Sequence, residues 1–190
     1  MVNRIKQNKK RFFYPPQFEK MIDRLNENGK FTAKFLINTG ARIHEARGFI
    51  TEPVFDNERK NITLLHTKVR ARLKERTPTS RTIPVSSSFF RKLKKDIHNH
   101  RILSTNAFNL QLKVACHEVK ISNPEQFSSH NIRKTFATWM LSLGVDGFKL
   151  AQHLGHTPNE LARDYATNDV FNSNDKRIMR GIFKDLLDRF

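Results

Sequence analysis

The sequence predicts an α+β fold that is mainly α-helical, a helical domain with a small antiparallel sheet on one side. Apolar residues recur at the helical period over most of the chain, and from about 50 to 86 that period gives way to short alternating runs. No internal repeat or low-complexity tract interrupts either pattern. At 190 residues the chain suits one domain with one core, large enough to need neither disulfides nor a structural metal.

Residues 1–11 are polar and basic without an apolar period, and read as a flexible arm or linker remnant. Pro15-Pro16 opens a helix carrying Phe18, Met21, Ile22 and Leu25, and Asn28-Gly29 is expected to end it. Phe31, Phe35 and Leu36 mark a second helix stopping near Gly40, and a third, short helix carries Arg42 to Gly48. Ile62 and Leu64, then Ile83 and Val85, suggest two short strands joined by the basic stretch from Lys68 to Arg81. Helices resume with Phe89, Phe90, Leu93 and Ile97, and again with Phe108, Leu112, Ala115 and Val119. A further one carries Ile132, Phe136, Ala137, Met140 and Leu141 and ends at Gly144. Thr157-Pro158-Asn159-Glu160 combines a cap residue, a proline at the first helical position and a glutamate at the capping-box position, so a helix starts there and carries Tyr165. After an Asn/Ser-rich break at 172–174, Ile178, Ile182, Phe183, Leu186 and Phe190 form the stripe of a terminal amphipathic helix.

Lys and Arg number 35 against 18 Asp and Glu, a formal charge of +17 and a pI near 10.4. That excess implies a polyanionic partner, nucleic acid before a membrane surface, because each neutralised phosphate releases counterions. No apolar run approaches a bilayer span and the first residues lack a signal peptide's apolar segment, so a soluble, unexported, cytoplasmic protein is expected. The single Cys116 excludes an intramolecular disulfide and a multi-cysteine zinc site, and reads as a small buried helix residue. His98-Asn99-His100 has the spacing of a metal pair, but Lys94, Lys95 and Arg101 surround it with only Asp96 nearby, so a solvated basic turn is expected. The acidic residues form no cluster able to hold magnesium. No metal or cofactor is expected.

Chemistry enters with His130 and Arg133, on one face near the start of a helix announced by Ser128-Ser129. The helix dipole, orphan backbone N–H groups and two donor side chains all favour a phosphate there. Spacing alone does not decide, since His44 with Arg47 and His98 with Arg101 repeat it. Four further elements follow a fixed order: Thr39-Gly40-Ala41-Arg42-Ile43-His44-Glu45, then Lys68 at a strand end, then Leu154-Gly155-His156, then Tyr165. Together these motifs resemble the tyrosine recombinase, or phage integrase, family over about Phe12 to Thr167.

The resemblance implies a catalytic domain over 12–171 that cuts and rejoins double-stranded DNA through a 3'-phosphotyrosine on Tyr165. Arg42 and Arg133 would clamp the phosphate, Lys68 would protonate the departing 5'-oxygen, and His130 would take or relay the tyrosine's proton. His156 would donate to a non-bridging oxygen and Glu45 would support Arg42. Lys68 is preferred to Lys74, which lies further along the same basic stretch, and Tyr14 is read as a packing residue. The family also implies a dimer or tetramer on DNA in the nucleoid or host cell, with the segment 172–190 either folded back or exchanged between protomers. Most members carry a separate DNA-binding domain ahead of the catalytic one, so 190 residues of this kind should bind DNA weakly, with steep salt dependence. A type IB topoisomerase would use nearly the same residues, and a regulator of the same fold would keep the shape without turnover.

Overall fold

The computed structural model describes residues 12–70, 75–165 and 170–190, with the backbone alone at 66–70, 75–79 and 163–165. The basic arm 1–11 and Lys74 lie outside the described residues.

The chain begins by lacing itself to what becomes the central helix: the Phe13 backbone N–H donates to Thr135 Oγ1 at 2.9 Å, and Trp139 Nε1 donates to the Phe13 carbonyl at 3.0 Å. Helix α1 (Pro15–Asp23) follows, its prolines in the first turn where no N–H is required. It ends earlier than expected. Asn26 accepts from the Gly29 N–H at 2.8 Å and so caps α2 (Glu27–Thr39), which makes Asn28-Gly29 the first turn of a helix rather than a stop. Glycine is needed there for space, since a Cβ would lie 2.6 Å from Gln111 Oε1. Helix α2 closes where expected, at Gly40, whose φ of 60° is left-handed; a Cβ there would also meet Phe136 at 2.6 Å. Helix α3 (Ile43–Thr51) starts at once.

The sheet has three antiparallel strands, β1 (Phe55–Asp56), β2 (Asn61–Arg70) and β3 (Glu75–Pro84), in that order. The ladder from Asn61↔Pro84 to Arg70↔Glu75 pairs Leu64 with Arg81 and Lys68 with Thr77. The expected connection of two short strands by a basic loop is therefore corrected: both strands run on through the basic stretch, and Lys68 sits inside β2 rather than at its end. Backbone pairing sustains the outer ladder without apolar alternation, so hydropathy alone misses it. Ile62, Leu64 and Ile83 are buried and fix the sheet against α3.

The remaining helices are α4 (Ser87–Asp96), α5 (Thr105–Glu118), α6 (Ser129–Ser142), α7 (Gly147–Leu154), α8 (Pro158–Tyr165) and α9 (Ser173–Phe183). Helix α6 is the axle: Ile132, Phe136, Ala137, Trp139 and Met140 are all fully buried, and it packs on α2, α5, α7 and α8. Cys116 is buried in α5 as expected, and burial pushes its thiol up to about 12. The terminal stripe is not one helix. It breaks at Lys184, at φ 50°, and continues as a 3-10 turn, Lys184–Arg189. In this chain the segment packs in cis: Phe183 meets Phe136 edge-on at 5.5 Å, Asp185 accepts the Ser87 N–H at 2.9 Å, and Arg189 donates to the Val85 carbonyl at 2.8 Å. Among the described residues no helix is long and apolar enough to cross a membrane.

Candidate active site

The site grows from Glu45. Standing in the first turn of α3, its carboxylate accepts the Arg42 backbone N–H at 2.7 Å and so caps the helix. The same carboxylate receives Arg42 Nη1 at 3.1 Å and Arg81 Nη2 at 2.7 Å, and lies 3.9 Å from Arg133 Nη1. It is only 1% exposed, so an unpaired charge would be very costly there. Three guanidinium groups facing one carboxylate leave the cluster with surplus positive charge.

Arg133 projects from α6 with 1% exposure, and its surroundings explain how a cation can be buried so deeply. Helices α2 and α7 both end in left-handed glycines, Gly40 and Gly155, which leaves carbonyls at their C-termini turned toward α6. Arg133 Nη1 donates to the Gly40 carbonyl and Nη2 to the Leu154 carbonyl, each at 2.6 Å. The guanidinium thus plugs the negative ends of two helix dipoles. Its Nη2 also reaches His156 Nε2 at 2.8 Å. Because a guanidinium only donates, His156 Nε2 is the acceptor and the ring proton resides on Nδ1. Burial, then the charges of Arg133 and Arg42, hold the His156 pKa down at about 4, so the ring is neutral at physiological pH.

Of the residues singled out from sequence, Arg42, Glu45, Arg133 and His156 therefore form one contact network. His130 stands exposed on the first turn of α6. The backbone carries Lys68 in β2 and Tyr165 as the last residue of α8, which packs on α6 and α7; both side chains lie outside the described residues. The look-alike pairs behave differently, since His44, Arg47, His98 and Arg101 are all exposed. Tyr14 packs near Phe12 and Phe171, with ring centroids at 5.4 and 5.7 Å.

Two residues escaped the sequence reading. Arg81 was one basic residue among many in the hairpin stretch; its pairing opposite buried Leu64 is the signal that marks it as inward-facing. His153 lies on the apolar face of α7 and donates from Nε2 to the Thr39 carbonyl at 2.9 Å. Burial pushes its pKa down to about 3 against that hydrogen bond, with Arg81 and Arg133 adding to the depression. A groove of about 600 Å³ bounded by Phe18, Ile22, Phe31, Phe89 and Ile182 holds none of these residues. Among the described residues no His, Cys, Asp or Glu group has a metal-binding arrangement.

Solved structures of integrases and recombinases share this fold. The Tn1549 transposon integrase in complex with circular intermediate DNA has a TM-score of 0.65 at 17% identity, over 90% of this chain and 65% of that one. The XerA recombinase has a TM-score of 0.61 at 17% identity, over 92% and 65%. The XerH site-specific recombinase bound to difH has 0.55 at 16%, over 92% and 55%. The chain thus spans about two thirds or less of the lengths of these proteins. Comparison with curated proteins gives no sequence match. The sequence profile of the phage integrase family matches residues 11–170, and the chain belongs to that family, the tyrosine recombinases.

Proposed function

We propose that this domain is a site-specific recombinase that cuts and rejoins double-stranded DNA without a metal, through a 3'-phosphotyrosine on Tyr165. The observation that carries the reading is the cluster of Arg42, Arg81 and Arg133 around a single buried carboxylate, beside the turn that leads into α8. A phosphodiester under attack gains negative charge on its non-bridging oxygens, and preorganised guanidinium groups stabilise that charge most where water is excluded.

In the proposed step the Tyr165 hydroxyl oxygen bonds to phosphorus as the bond from phosphorus to the 5'-oxygen breaks. His130 accepts or relays the phenolic proton, and the Lys68 ammonium protonates the departing 5'-oxygen. Rejoining runs in reverse with a 5'-hydroxyl, and the phosphotyrosyl ester conserves the bond energy, so no nucleotide is consumed. Arg42 is the clamp a phosphate meets first, being 33% exposed while Arg133 is 1% exposed. His156 is proposed to donate a hydrogen bond to a non-bridging oxygen.

A nicked suicide duplex tests the reading: wild-type protein should leave a denaturant-resistant protein-DNA adduct, in EDTA as well as without it. Tyr165→Phe should leave none, and an adduct that persists in that variant, or requires a divalent ion, rules the mechanism out. On DNA the protein is proposed to act as a dimer or tetramer linked by residues 172–190. The contact of Ser87 with Asp185 makes that testable. With cysteines at both positions, free protein should form the disulfide within one chain and DNA-bound protein between chains; a bond only within chains on DNA counts against exchange.

A further inference from the structure

Arg81 enters the site from the sheet, whereas Arg42 and Arg133 come from helical segments. Its position opposite Leu64, which is fully buried, turns it inward, and its side chain is 16% exposed. It makes two directed bonds, from Nη2 to Glu45 Oε2 at 2.7 Å and from Nη1 to the Leu154 carbonyl, which Arg133 also occupies. Gly155 keeps that approach open, because a Cβ there would lie 3.1 Å from Arg81 Nη1.

The two ends of Arg81 touch different parts of the site. Glu45 holds Arg42; the Leu154 carbonyl begins the turn that presents His156 and starts α8. Arg133 grips the same turn but stands 3.9 Å from Glu45, too far for a hydrogen bond. Among the described residues, Arg81 is therefore the side chain that hydrogen-bonds the Glu45 unit directly to the Leu154 turn. We propose that Arg81 is a positioning residue that sets the spacing between Arg42 and His156 on the two sides of the proposed phosphate clamp. The inference rests on the recombinase reading and extends it. A guanidinium suits this task because its planar fork holds two acceptors at a fixed separation, whereas an ammonium on a flexible stem does not.

The test uses the whole chain and the nicked suicide duplex, with Arg81→Gln, Arg81→Lys and Lys68→Ala beside the wild type. Single-turnover adduct formation should fall on the order of 10- to 100-fold in Arg81→Gln, while the Kd for intact duplex changes by less than about threefold, since Arg81 is 16% exposed and its Nη1 and Nη2 are spent on the Leu154 carbonyl and Glu45 rather than on DNA phosphates. Arg81→Lys should fall between the two. Replacing the bridging 5'-oxygen by sulfur supplies a leaving group that needs no proton, so it should rescue Lys68→Ala and leave Arg81→Gln defective. Rescue of Arg81→Gln to the same degree would mean that Arg81 works through the hairpin's proton donor, and overturns the proposal. So does a defect that vanishes well below the variant's melting temperature, which marks a stability effect only, or a wild-type rate in Arg81→Gln. A wild-type protein that forms no Tyr165-dependent adduct instead overturns the recombinase reading, and this inference with it.

Discussion

The motif His-x-x-Arg occurs on α6 as His130 and Arg133 and on α3 as His44 and Arg47, and the two copies differ in where their helices run. Helix α6 passes through the core, so its arginine meets the carbonyl ends of α2 and α7 and a neutral imidazole, all within 2.8 Å. The α3 pair points outward, and both side chains are exposed. The same spacing thus yields a fixed cation in one place and a solvated one in the other. An arginine becomes part of a site when helix ends and a carboxylate have already been brought to it.

The widest break in that contrast comes from Arg133→Ala, which leaves two buried carbonyls and Glu45 with less compensation. Stability should drop by roughly 3–5 kcal/mol, read from urea denaturation, and cleavage should be lost with it. Arg42→Ala tests the accessible side of the cluster: the adduct-forming step should lose about 3 kcal/mol, while the melting temperature moves little. Equal stability losses in both variants would contradict the distinction drawn between buried and accessible guanidinium groups.

Acid sharpens the comparison through the histidines that face the buried arginines. His153 and His156 titrate at about 3 and about 4, below the ordinary histidine value of 6.5. As pH falls below 6.5 the unfolded chain takes up protons that the folded chain refuses, so stability is complete above that value and declines toward pH 3–4. Each histidine contributes a slope of up to about 1.4 kcal/mol per pH unit in that window. His153→Gln can keep a donor toward the Thr39 carbonyl and should flatten the denaturation midpoint against pH by about one histidine's share. An unchanged slope would show that His153 is not held neutral. The smallest effect belongs to Arg47→Ala, expected within about 0.5 kcal/mol in stability and measured in the same melts.

Much of this was legible because caps and stops are local chemistry. Gly40, Pro15-Pro16, Ser128-Ser129 and Thr157-Pro158 mark helix ends through backbone constraints and caps that hardly depend on the rest of the fold, and the motifs holding Arg42, Glu45, Arg133 and His156 lie next to such ends. The residues that escaped depend on tertiary partners. Arg81 became distinctive only once β3 was paired with β2, and His153 only once α7 was laid against the end of α2. Helix α7 itself was too short to give a periodic signal, although Asp146 caps it by accepting the Lys149 N–H at 3.0 Å. The break at Lys184 has no glycine or proline to announce it, and it follows from seating Phe183 in the core while Asp185 turns to the start of α4.

The lacing of Phe13 to Thr135 and Trp139 has a mechanical meaning. Both bonds grip α6 beyond Arg133, one on each side of the Phe13 α-carbon, so tension on the chain ahead of Phe13 is delivered to the axle of the domain rather than dissipated at its rim. A pull at Phe13 therefore reaches the same helix that carries the guanidinium enclosed by the two helix ends, through anchors at Thr135 and Trp139.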